Sequence, residues 1–284
     1  LTDSSCDIPQ EMAEKYGIDI MSFHILLDDV DYVERESCTN TEFYDKMRLS
    51  KGVPSTAAIT PIQFCEKYCQ YVDEGYTDVI HVPINKSGSS TYNNALMAQG
   101  MLREERPEHH MKIHLLDPHT YSMVFGWYLC EMARKLKNGA EISHVIQEFE
   151  KQMNCMEIIL GPYSLKQMKK SGRISAAAAV MGELMGVRPI ITLIDGKTKV
   201  ESKVRGDDKV IPAMIDLCKK RTEGVEDFDY MIGHTSIPQA AELEKACRKA
   251  FGKAPLTTFN LGGVVSANTG PDTLALVYVS KARD

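Results

Sequence analysis

The stretch Val79-Ile80-His81-Val82-Pro83-Ile84, followed by Asn85-Lys86-Ser87-Gly88-Ser89-Ser90-Thr91-Tyr92, constrains this chain more than any other. Its first six residues form a short apolar run of the kind buried in a sheet, and Tyr92 to Glu105 carries the pattern of a helix. A strand joined to a helix by a short turn packs the helix back onto the sheet. Repeated, that unit commits a chain to an α/β fold with parallel strands. The turn is rich in hydroxyls and holds a glycine, so free backbone N–H groups and the helix dipole favour negative charge at one point. Ordinary N-capping explains the same residues equally well. The two roles are compatible, because a cap hydroxyl not used by the backbone is free to meet an anion.

The alternation extends through the first half. Ile18 to Leu27 reads as strand. Thr60-Pro61-Ile62-Gln63 is a capping box with proline at the first helical position, opening a helix that carries Phe64, Tyr68 and Val72 toward Glu74. Lys112–Asp117 is a short strand, Ser122–Lys137 a helix stopped at Asn138-Gly139, and Glu141–Met153 a further helix. The polar segment Asp29–Ser37 reads as an exposed hairpin or loop. The second half differs. Glu157–Leu160 reads as a strand, Leu165–Lys170 as a short helix, and Arg188–Ile194 with Lys199–Arg205 as a hairpin turned at Asp195-Gly196. Helices are expected at Asp208–Lys220 and Pro238–Phe251, and strands at Asp229–Gly233, Val264–Ala267 and Leu274–Ser280. The expected fold is α/β in two domains: an N-terminal parallel-sheet domain over 1–157, and a smaller C-terminal domain over 158–284 with a mixed sheet and helices on one face.

With 284 residues, 43% of them hydrophobic, the chain is large enough for a packed core. Its net charge of −6 argues against a nucleic-acid coat protein. No apolar run reaches the length of an integral membrane segment, and the opening residues form no signal core. The eight scattered cysteines do not resemble a disulfide framework, so a reducing cytoplasm is the expected location. Cys65 and Cys69, one helical turn apart, read as thiols on an amphipathic helix rather than as a ligand pair. His109, His110 and His114 lack a carboxylate at helical spacing, so no metal site is expected.

Beyond the Ser89-Ser90-Thr91 turn, three further patches carry chemistry, each with a plain structural alternative. Val53-Pro54-Ser55-Thr56 is a hydroxyl-bearing loop before a helix, or simply a turn and a cap. Lys169-Lys170-Ser171-Gly172-Arg173 and Lys203-Val204-Arg205-Gly206 set arginines beside glycines, suited to carboxylate or phosphate. Charge runs of this kind are also ordinary solvated surface. Leu261–Pro271 places Asn268 and Thr269 at the end of an expected strand, or in a C-terminal hairpin turn.

In order along the chain, Thr2-Asp3-Ser4, Pro54-Ser55-Thr56, Ser89-Ser90-Thr91-Tyr92, Leu116-Asp117-Pro118 with Ser122-Met123, Gly172-Arg173-Ile174-Ser175, Lys203-Val204-Arg205-Gly206 and Thr269-Gly270-Pro271 resemble the DegV family. These are the fatty-acid-binding proteins that serve bacterial fatty acid kinases. The resemblance covers essentially the whole chain. It implies a long-chain fatty acid buried in an apolar tunnel, with its carboxylate near the inter-domain cleft. It also implies that the protein is not itself an enzyme and needs no cofactor: a separate ATP-dependent fatty acid kinase phosphorylates the bound carboxylate for phospholipid synthesis. By the same resemblance Thr56, Ser89 and Asn268 hold the carboxylate, with Ser55, Ser90 and Thr269 supporting. Arg173, Arg205 and Lys203 are assigned to kinase docking or phosphate contact. Two positions depart from the family pattern: Ser90 stands where glycine is usual, and Asn268 where histidine is usual. An amide donates a hydrogen bond to a carboxylate but carries no positive charge.

A 16-carbon tail contributes about 11 kcal/mol of burial before costs, at about 0.8 kcal/mol per CH₂. The charged head must then meet donors. Ala176–Met185 and Leu115–Phe125 are the expected tunnel linings, since methionine adapts to varied chain shapes. A free-standing phosphotransferase acting on a small molecule is the competing class, weakened by the absence of a G-x-x-x-x-G-K-[ST] loop. A regulatory lipid sensor without kinase coupling is a third.

Overall fold

The computed structural model describes residues 1–174 and 186–283. In the first half, β1 (Thr2–Asp3), α1 (Gln10–Tyr16) and β2 (Ile20–Met21) form a parallel unit. β3 (His24–Leu27) and β4 (Val30–Val33) follow, then α2 (Asn40–Leu49), β5 (Ser55–Ala57) and α3 (Pro61–Asp73). Next come β6 (Asp78–His81), α4 (Thr91–Glu105), β7 (Lys112–Leu115), α5 (Met123–Lys137) and α6 (Ile142–Met153). β6 and β7 pair in parallel, and a parallel bridge from Thr2 to Val82 joins them to β1 and β2. Asp3 strengthens that junction by accepting the Ile84 N–H at 2.7 Å.

The second half holds β8 (Met156–Pro162), α7 (Lys166–Ser171), β9 (Val187–Ile194), β10 (Lys197–Arg205) and α8 (Val210–Arg221). It continues with β11 (Tyr230–His234), α9 (Gln239–Phe251), β12 (Thr258–Asn260), α10 (Gly263–Thr269) and β13 (Thr273–Val279). Six strands form one mixed sheet in the order β10-β9-β8-β13-β11-β12, antiparallel except for β11 with β12. The mixed α/β fold with parallel units before a larger mixed sheet is the one expected. The division placed at 157/158 falls inside β8.

Alternate residues of the central strands enter two different cores, as the period of two dictates. Ile159, Leu274, Leu276 and Tyr278 pack against α8 and α9. Ile158, Leu160, Ala275 and Val277 face the other way, toward α5 and the first half. A third core gathers side chains of α2, α3, α4 and β3.

Three expectations need correction. Ile18–Leu27 is not one strand but two, β2 and β3, belonging to different sheets. Asp29–Ser37 does enter a hairpin, with left-handed Asp28 and Asp29 at its turn, but Glu34 at its end is 5% exposed rather than solvated. Val264–Ala267 is helix, within α10, despite two valines that favour strands. The reason is tertiary: buried Glu34 accepts the Val264 N–H at 2.8 Å, satisfying a helix-start donor from 230 residues away.

Candidate functional site

The sheet face that looks toward the first half does not close against it completely. A cavity of about 190 Å³ remains, far more than the roughly 10–15 Å³ that one water needs. Its floor is built by cross-strand partners: Ile158 lies opposite both Leu193 and Val277, and Leu160 opposite Ala275. Phe23, Ile84 and Val124 approach from the first half, and Phe259, Leu261 and Val264 from the chain around α10.

The hydroxyl-bearing loops reach the same cavity. Thr56 lines it from β5, Ser89 and Ser90 from the turn before α4, and Asn268 and Thr269 from the end of α10. Exposure is graded along the lining. Ser90 and Arg173 are exposed while Thr56, Ser89 and Asn268 are half-buried, so the cavity reaches solvent there. Ile158, Leu160, Leu261 and Val277 are each at most 5% exposed, so the remainder is interior and apolar. Such a space offers apolar burial in its interior and polar groups where it meets solvent.

Local hydrogen bonds set what each group offers. Ser89 Oγ accepts from the Thr91 N–H at 3.2 Å and lies 2.8 Å from Thr91 Oγ1. It therefore does the local turn-capping work that the sequence allowed for. Asn268 Nδ2 donates to the Val264 carbonyl at 2.8 Å, which leaves its second N–H and its Oδ1 for other partners. Gly88 is required by close approach, since a Cβ there would overlap the Tyr121 hydroxyl. Burial raises the Tyr121 phenol above its ordinary pKa, opposed by a hydrogen bond with Ser87.

Not every expected residue converges. Ser55 is exposed and does not line the cavity, because on β5 it points opposite to Thr56. Lys203 and Arg205 sit together on one face of β10, exposed at the sheet edge and away from the lining. Of the expected tunnel linings, Tyr121, Ser122 and Val124 fall within Leu115–Phe125, whereas Ala176–Met185 lies outside the described residues. Sequence reasoning missed Phe23, Ile84, Phe259 and the sheet-floor residues, whose signal is only that of ordinary core.

Among the described residues, no group of three or more His, Cys, Asp and Glu side chains is arranged to hold a metal. All eight cysteines are free thiols. No helix among the described residues is long and apolar enough to cross a membrane.

Fold and cavity together define an α/β protein built around an apolar chamber with a polar opening. The chain belongs to the DegV family: the family described as "Uncharacterised protein, DegV family" matches residues 1–281. A DegV domain-containing protein of Clostridium perfringens is 27% identical, over 99% of this chain and 98% of its own. A stearic acid-binding protein of Eubacterium ventriosum superposes with a TM-score of 0.89 at 22% identity, over 99% of this chain and 97% of that one. A DegV family protein of Thermus thermophilus, described by its fatty acid binding, gives 0.85 at 24% identity over 99% and 98%. At these identities the superpositions establish the shared fold.

Proposed function

We propose that this protein binds a long-chain fatty acid, with the hydrocarbon in the apolar chamber and the carboxylate at its opening. The observation that carries the reading is the gradient along one cavity: half-buried Thr56, Ser89 and Asn268 at one part, fully buried sheet-face side chains elsewhere. The stearic acid named for one of those solved neighbours and the fatty acid binding named for the other support the ligand class. Hydroxyls and an amide meet the carboxylate with dipoles, and the Arg173 guanidinium in the same lining is kept for an incoming phosphoryl group. Ser90 and Thr269 flank that contact.

The chain acts without a cofactor or catalytic group of its own. A separate ATP-dependent fatty acid kinase supplies the phosphoryl group, and the two halves of the chain, 1–157 and 158–284, enclose the acid between them. Arg173, at the cavity opening, faces the transferred phosphate. Lys203 and Arg205, on the exposed edge strand, dock the kinase. The free thiols fit a reducing compartment, and we place the protein in the cytoplasm. Titration calorimetry of delipidated protein with palmitate tests the reading. Saturable binding that Thr56→Val and Ser89→Ala each weaken several-fold supports it, and no heat beyond dilution overturns it.

A further inference from the structure

Behind the cavity wall lies a pair of carboxyls, buried Glu34 and half-buried Asp7, that the proposed binding does not use directly. Glu34, at the end of the β3–β4 hairpin, accepts the backbone N–H groups of Gly263 and Val264, the latter at 2.8 Å. Its other oxygen takes the Ser4 hydroxyl. Asp7 accepts the Gly262 N–H and the hydroxyl of Ser122, a residue held in the left-handed region at φ 66°. Three successive N–H groups that open α10 thus meet two acids from the first half of the chain.

The Gly262-Gly263 pair is what admits them. A Cβ at Gly262 would overlap Asp7 Oδ1 and stand 2.8 Å from Glu34 Oε1; one at Gly263 would stand 2.7 Å from Ile25 Cδ1. Arg35 is adjacent in sequence but gives its guanidinium to the Ile8 carbonyl and Gln10. Burial raises both acids above their ordinary pKa, and the charge of Glu34 raises Asp7 further.

The route from this pair to the cavity is short. Val264 gives its N–H to Glu34 and its carbonyl to Asn268 Nδ2, so one residue links the buried acid to the amide at the cavity. Ser122, held by Asp7, is itself part of the lining, as is Phe23, whose N–H is tied to Ser4 at 3.0 Å. We infer that Glu34, braced by Asp7, is a positioning residue, fixing α10 so that Asn268 meets the ligand head at a set place. This inference rests on the fatty-acid reading above and assigns the residues that give it headgroup discrimination.

The test compares palmitate with 1-hexadecanol, which share a tail and differ in the head. Affinities are measured for wild type, Glu34→Gln, Glu34→Ala and Ser4→Ala, with thermal melts of each. Glu34→Ala is expected to reduce the preference for palmitate at least fivefold. Glu34→Gln, which keeps an acceptor for the α10 N–H groups, retains the preference within twofold. Ser4→Ala, which frees one Glu34 oxygen and also releases the Phe23 N–H, shifts the preference in the same direction by a lesser factor, and read beside its melt decides the matter if Glu34→Ala does not fold. Equal loss of both ligands in parallel with a lowered Tm, preference unchanged, overturns the inference and leaves a structural role. A wild type that binds neither ligand overturns the fatty-acid reading first, and this inference with it.

Discussion

Ala275→Leu puts the tail-binding chamber to a direct test. Ala275 is 2% exposed, faces the cavity from β13 and sits opposite Leu160. A leucine there projects three more carbons into the 190 Å³ space. If a long acyl chain occupies that space, the new side chain displaces about three of its methylenes. At about 0.8 kcal/mol each the loss is about 2.4 kcal/mol, or about sixty-fold in affinity. The effect depends on length: palmitate and stearate weaken strongly, whereas laurate, with at least four fewer carbons to place beside the new side chain, changes by less than about threefold. The ligand-free protein loses less than about 1 kcal/mol, because the methyls enter existing space. Ala267→Leu is the contrast. Ala267 is 1% exposed in the α10 core and is not part of this cavity's lining, so overpacking there costs about 1–3 kcal/mol. Calorimetry over saturated acids of 12 to 18 carbons, with denaturant melts of both variants, reads all of this. Uniform weakening at every length, or none, refutes the placement of the tail.

Other expectations follow from the same geometry. Ser89→Ala weakens palmitate binding by about tenfold, the order of one hydrogen bond to a charged group, whereas Ser87→Ala, whose hydroxyl bonds Asn85 and Tyr121 and does not itself line the cavity, changes it by less than about twofold; equal losses in titration contradict the headgroup assignment. Arg205→Glu slows phosphorylation of the bound acid by an added kinase while leaving lipid uptake intact, and a parallel fall in both places the arginine in lipid binding instead. Burial raises the Asp3 carboxyl to about 7 against hydrogen bonds from Ser5 and Ile84. The folded state therefore keeps a proton that the unfolded chain releases near pH 4, and stability falls as pH climbs between those values, by up to about 1.4 kcal/mol per unit. In denaturant melts the stability of wild type minus that of Asp3→Asn falls from pH 5 to pH 8; a constant or rising difference contradicts this.

What the sequence made legible follows from where the deciding contacts lie. The α3 capping box forms as written, with Thr60 and Gln63 exchanging bonds at 3.3 and 2.9 Å, because every participant lies within four residues. The β9–β10 hairpin turns at Asp195-Gly196, both left-handed, for the same reason. α10 was not legible, because Glu34 decides its start from 230 residues away, and a glutamate in a polar run gives no sign of burial. β12 escaped notice as three residues held by pairing with β11. At the site, the individual hydroxyl patches were visible as turns and caps. That Thr56, Ser89 and Asn268 share a cavity depends on packing that no local pattern encodes, and only the ordered resemblance of the motifs anticipated it. Ser55 shows the converse: adjacent to Thr56 in sequence, it is carried away by the strand's alternation.

Mass spectrometry of the intact protein, purified from bacteria under native conditions and never exposed to detergent, weighs the central idea most directly. The account predicts a one-to-one adduct that organic extraction releases as a fatty acid of long chain, and that Ala275→Leu shifts toward shorter acids. A bare polypeptide mass that stays bare after incubation with palmitate and oleate contradicts it.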